Sequence, residues 1–149
     1  MSERVAIVGS REGVPAEVVR SFVRQLWEKH PDTILVSGGA VGVDRIAEQE
    51  WLRLGGQVES YRPVQMAVDV YGVEKWELGG SSPRVYALVN DLTFENYKSA
   101  ALYRDTMIAE AADRIVGFVK RGGSRGTEFT LEWGEESQPK PRYRYEIAA

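Results

Sequence analysis

Val36-Ser37-Gly38-Gly39-Ala40-Val41-Gly42-Val43-Asp44-Arg45-Ile46-Ala47 runs from the end of an apolar stretch, through three glycines, into an amphipathic pattern. The run before it, Thr33 to Val36, reads as a short buried strand bounded by turn residues. After it, Val43, Ile46, Ala47, Trp51 and Leu54 recur at helical spacing, with Gly55-Gly56 as the stop. Two other junctions have the same form. Val5-Ala6-Ile7-Val8 leads into Gly9-Ser10-Arg11, and Ile115-Val116-Gly117-Phe118-Val119 leads into Gly122-Gly123-Ser124-Arg125-Gly126-Thr127. In an open parallel sheet the carboxyl ends of the strands line the ligand crevice. Glycine there lets the backbone approach a ligand and aim N–H groups at it. Three such turns point to a site for a phosphate-bearing small molecule.

Outward from these junctions, the chain alternates strand and helix. Pro15 suits the first turn of a helix whose apolar positions are Val14, Val18, Val19, Phe22, Val23, Leu26 and Trp27, ending near His30-Pro31. Val58 to Tyr61 reads as a third strand. Arg62 to Ser99 is broken by Pro63, Gly72, Gly79-Gly80 and Pro83 and is expected to be irregular, with Val85 to Val89 readable as strand or helix. Ala100 to Ala111 is helical, Arg114 to Val119 a strand, and Thr127 an N-cap for a short helix through Trp133. Arg142 to Ile147 alternates like a final strand. The alternation gives an α/β fold with a mainly parallel sheet, in one domain spanning 1–149.

Composition narrows the chemistry. With no cysteine, disulfides, thiolate catalysis and cysteine-based metal sites are excluded together. No His/Asp/Glu spacing resembles a metal site. No apolar run is long enough to span a membrane, and Met1 to Arg4 leads straight into a strand, so a cytoplasmic protein without a leader is expected. The 19 basic and 22 acidic residues leave a net charge of −3, where a dedicated nucleic-acid binder more often shows a basic excess. Nucleic acid is therefore expected to be an unlikely partner, although a local basic patch can hide in this balance.

The candidate ligand-binding residues sit in the three turns. Gly9, Ser10 and Arg11 offer N–H groups, a hydroxyl and a planar guanidinium suited to phosphate. Ser37, Gly38, Gly39 and Gly42 precede a helix N-terminus, which attracts anions. Asp44 in the first helical turn is either a structural cap or an acceptor for a ribose hydroxyl. Gly122, Gly123, Ser124, Gly126 and Thr127 form the third turn. His30 has no sequence partner for a Ser-His-Asp site, and the first turn is no G-x-G-x-x-G fingerprint.

Together these segments resemble the SMF/DprA–LOG superfamily, often called SLOG. The segment Tyr97 to Ile108 is similar to that of the small single-domain DUF2493 or YspA-like group, with Asp105 standing where that group has Asn. The resemblance implies a Rossmann-like sandwich that binds a nucleotide or nucleotide-derived ligand, such as an ADP-ribose-like molecule, with no certain resident cofactor. It also implies a possible homodimer. Two branches imply rival functions. The cytokinin-activating phosphoribohydrolases carry an arginine that Arg104 matches by order and a Pro-Gly-Gly-x-Gly-Thr-x-x-Glu turn. Here Arg121 replaces the proline, an extra residue precedes Gly126, and Thr130 stands at the glutamate position. Asp44, Asp105 and Glu128 are the carboxylates close to the motifs for N-glycosidic bond cleavage. The DNA-processing protein A branch binds single-stranded DNA, and Gly9 to Arg11 and Gly38 to Asp44 resemble its motifs.

Overall fold

The computed structural model describes residues 2–80, 84–89 and 92–147. The elements are β1 (Arg4–Gly9), α1 (Ala16–Lys29), β2 (Ile34–Ser37), α2 (Val43–Arg53), β3 (Gln57–Ala67), β4 (Val70–Leu78), β5 (Arg84–Leu88), α3 (Tyr97–Ala111), β6 (Arg114–Lys120), α4 (Arg125–Ser137) and β7 (Arg142–Ile147). They form one sheet in the order β5-β4-β3-β2-β1-β6-β7. The pairings β3–β2, β2–β1, β1–β6 and β6–β7 are parallel, while β4 and β5 add on antiparallel.

Side-chain alternation explains why the central strands β1, β2 and β6, covered on both faces, are largely apolar. Val5 and Ile7 face a core with Val19, Val23, Val43 and Trp51 from α1 and α2. Ala6 and Val8 face a second core with Ala100, Ile108 and Leu131 from α3 and α4. The fold is thus a three-layer, Rossmann-like sandwich. Trp51, fully buried, meets Trp27 edge-on at 5.3 Å and donates from Nε1 to the Gln57 carbonyl at 3.1 Å.

From β1 the chain travels outward one way through β2 and β3, then returns to β6 on the other side of β1. The turns after β1 and β6 therefore diverge to opposite faces, which opens a crevice above their carboxyl ends. No helix among the described residues is long and apolar enough to cross a membrane.

The stretch from Arg62 to Ser99 departs from expectation. Only Gln57 to Ser60 of β3 pair with β2, and the strand then continues as an arm joined to β4 as far as Ala67. Pro63 is tolerated because it lies past the end of β2, where one side of β3 has no neighbour. Val85 belongs to strand β5. The helix α3 begins three residues before the expected Ala100, because Asn96 caps it, its Oδ1 accepting the Ser99 N–H at 2.8 Å. Thr127 is not a cap: Ser124 holds the N-cap position of α4, and Thr127 lies within its first turn.

Candidate functional site

A cavity of about 570 Å³ lies over the carboxyl ends of β1 and β2, beside the point where β3 passes the end of β2, and against the start of α4 after β6. Among the described residues its wall carries six cationic side chains, Arg11, Arg45, Arg62, Lys98, Arg104 and Arg125, and two carboxylates, Asp44 and Asp105. The chain as a whole has a net charge of −3, so this is a local inversion of sign. The N-terminal ends of α2 and α4 adjoin the cavity and add their partial positive charge.

The glycines at its floor make room for charged groups. A Cβ on Gly38 would lie 2.8 Å from Arg104 Nη1 and 2.9 Å from Asp44 Oδ2, so these two side chains converge over that residue. A Cβ on Gly39 would lie 2.6 Å from Arg62 Nε. Gly42 serves the turns themselves: at φ +100°, a Cβ would meet the Ser10 carbonyl oxygen at 2.4 Å and Arg11 Cα at 2.6 Å. The first two turns are further joined by the Val43 N–H, which donates to the Ser10 carbonyl at 3.2 Å.

Arg104 is buried, projecting from α3 across to the second turn. Its Nη1 donates to the Gly38 carbonyl at 2.7 Å and its Nε to Asp105 Oδ1 at 2.8 Å. Asp44 Oδ1 accepts the Gly9 N–H at 3.1 Å, tying the start of α2 to the end of β1. Burial pushes the Asp44 carboxyl up to about 7; Arg104 opposes this and Asp105 adds to it. Burial likewise raises Asp105 to about 6 against the pull of Arg104.

Behind the wall lies a polar network. The buried Glu48 accepts from Ser37 Oγ at 2.7 Å and Ser60 Oγ at 3.0 Å through Oε2, and from Arg62 Nη2 at 2.7 Å through Oε1. Arg62 Nε donates to Ser60 Oγ at 2.9 Å, and its guanidinium carbon lies 4.9 Å from the centre of the Trp76 ring. Arg62 thus reaches the cavity as a held group. By contrast Arg11, Lys98 and Arg125 are exposed and make no ion pair among the described residues.

Of the residues singled out in the sequence, the cavity wall gathers Gly9, Arg11, Gly38, Gly39, Asp44, Arg104, Ser124, Gly126 and Thr127. The others lie elsewhere. Ser10 is buried, its Oγ accepting the Lys120 N–H at 2.9 Å, and Ser37 faces Glu48. Gly42 packs turn against turn, and Gly122 and Gly123 lie off the wall, Gly123 beside Arg144 and Glu128. Glu128 Oε1 accepts from Arg144 Nε at 2.7 Å and is not on the wall either. The wall also holds Arg45, Arg62, Lys98, Arg125 and the half-exposed Tyr97, none of which was among the candidate ligand-binding residues. Arg62 directly follows Tyr61, where the sequence reading ended the third strand, so the strand-end rule applied at that point would have found it.

Residues 1–61 match the family of DNA recombination-mediator protein A. A comparison with curated proteins returned no match. Among solved structures, DNA processing protein A from Helicobacter pylori, described with a unique single-stranded DNA binding mode, superimposes with a TM-score of 0.64 at 18% identity. It is covered over 64% of its length by 95% of this chain. DNA processing protein A from Streptococcus pneumoniae gives a TM-score of 0.66 at 19% identity, with 99% of this chain covering 51% of that one. The present chain therefore spans about half to two thirds of these proteins. These findings overturn the expectation that nucleic acid is an unlikely partner: both the matched family and the H. pylori structure are named for DNA. Net charge averages over the whole chain, whereas six of its 19 basic side chains share this one cavity wall.

Proposed function

We propose, taking the chain as a DprA-like member of the SLOG superfamily, that the carboxyl-edge cavity binds single-stranded nucleic acid through its phosphates. The observation that carries this is the cluster of six cations against two carboxylates on one cavity wall of an acidic chain. Guanidinium groups match phosphate oxygens as planar forks, and Arg62, anchored by Glu48, Ser60 and Trp76, is already in place for the task. The cavity volume suits one or two nucleotides rather than a duplex, and the exposed ring of Tyr97 on its wall offers a stacking surface for a base.

Fluorescence anisotropy with a labelled oligothymidylate and a duplex of equal length tests the reading. Single-strand binding that weakens steeply with salt, with the duplex bound less well, is expected. Absence of any complex at about 50 mM salt, where the Debye length is about 14 Å, would exclude it.

The same cavity also supports a second reading, a free nucleotide or ADP-ribose-like ligand, because its size lies in the small-molecule range and two helix N-termini adjoin it. Displacement of the oligonucleotide by micromolar ADP-ribose or a mononucleotide would favour that ligand over the strand.

A further inference from the structure

We propose that this site takes up protons as it takes a polyanion, so that its affinity for single-stranded nucleic acid falls as pH rises through neutrality. The inference rests on the reading of the cavity as a nucleic-acid site. It starts from an apparent contradiction: two carboxylates stand on the wall of a cavity otherwise lined by cations. Asp44 is more than nine-tenths buried, and Asp105 pairs with Nε of Arg104, whose Nη1 converges with Asp44 over Gly38. As carboxylates, both would repel an incoming phosphodiester; as neutral acids they would not.

The surroundings place both acids within reach of protonation. Asp44 meets the Gly9 N–H from the β1 end, Arg104 and Asp105 from α3, and the buried Glu48 from its own helix. Arg45 of α2, Arg62 of β3 and Arg125 of α4 share the cavity wall, with Thr127 and Thr130 as neutral neighbours. Asp44 Oδ1 is occupied by the Gly9 N–H, which leaves Oδ2 to carry the proton. Burial has already raised Asp44 to about 7 and Asp105 to about 6. A phosphodiester brought alongside is a further like charge and pushes both upward again. Protonation of Asp105 also loosens its hold on Arg104 Nε, freeing that guanidinium to donate to the phosphate.

Phosphodiesters stay ionised, and the one histidine, His30, caps the far end of α1 at the amino edge of the sheet.

The experiment measures the dissociation constant for a labelled oligothymidylate from pH 5.5 to 8.5 at constant ionic strength. Alongside it, calorimetry at pH 7 in buffers of different ionisation enthalpy counts protons bound. A dissociation constant rising about fivefold or more from pH 6 to 8, with net proton uptake, is expected; one fully coupled proton would give about tenfold per pH unit. The double variant D44N/D105N should show a flat profile and no uptake. Tight binding with a flat profile and no proton uptake by the wild-type chain overturns the proposal and leaves the nucleic-acid reading standing. So does pH dependence that survives in the folded double variant. Absence of binding even at pH 6 and low salt overturns both. Should the double variant fail to fold, proton uptake by the wild-type chain decides.

Discussion

Asp44 shows how much a single residue can carry. Its place in the first turn of α2 was legible, and so was the choice between cap and ligand contact. The structure makes it a tie: it receives the Gly9 N–H and stands on the cavity wall. In the folded chain it keeps its proton up to about pH 7, against an ordinary value of 3.8. Between those values the folded state holds more protons than the unfolded one, so stability falls as pH rises through that window and levels off above it. Asparagine keeps the shape and an acceptor for Gly9 but has no charge to bury. Asp44→Asn should therefore melt higher than the wild type at pH 8, by on the order of 2–4 kcal/mol, since each pKa unit is worth about 1.4. The gain should vanish near pH 4. Thermal unfolding at pH 4, 6 and 8 measures this; equal melting at pH 8 would mean that Asp44 is solvated rather than buried. Arg62 marks the opposite case. Nothing local distinguishes it from a solvated arginine, because its meaning comes from Glu48, fourteen positions earlier, and from Trp76 on the next strand.

At the level of elements, β1, β2 and β6 were readable because they are buried on both faces and so largely apolar, while the mostly exposed β7 showed itself by alternation. The arm of β3 and β4 was not. It is solvated along much of its length, and its prolines and glycines read as breaks where one strand has run past its neighbour. The glycine turns were recognised as a group, but their division of labour was not: Gly38 and Gly39 admit Arg104 and Arg62, while Gly42 admits another turn. That division can be tested. Gly42→Ala forces a side chain into a left-handed backbone and against the Ser10 carbonyl. It should cost about 1–3 kcal/mol from the backbone alone, and more from the clash. A melting temperature unchanged in Gly42→Ala would show that the two turns can part without loss.

On the scale of the whole molecule, the separation of charge is the property that matters. The chain is acidic, yet its basic groups include a set that converges where the strands end. Composition reports the sum and cannot report the place; only the fold brings Arg11, Arg62, Lys98 and Arg125 to one edge from four separate segments. If that edge tracks a phosphate backbone, salt dependence should belong to it and not to the net charge. Lys98→Gln and Arg125→Gln each remove a wall cation that makes no ion pair among the described residues. Each should weaken oligonucleotide binding and reduce the slope of log affinity against log salt by about 0.7, the value for one phosphate contact on a single strand. Lys29→Gln changes the net charge by the same amount at the last turn of α1, away from the cavity. It should leave both affinity and slope unchanged. Titrations at four salt concentrations for the three variants make the comparison. A slope that moves as much for Lys29 as for Lys98 would mean that nucleic acid responds to the charge of the whole chain, and the cavity would lose its claim to be the site.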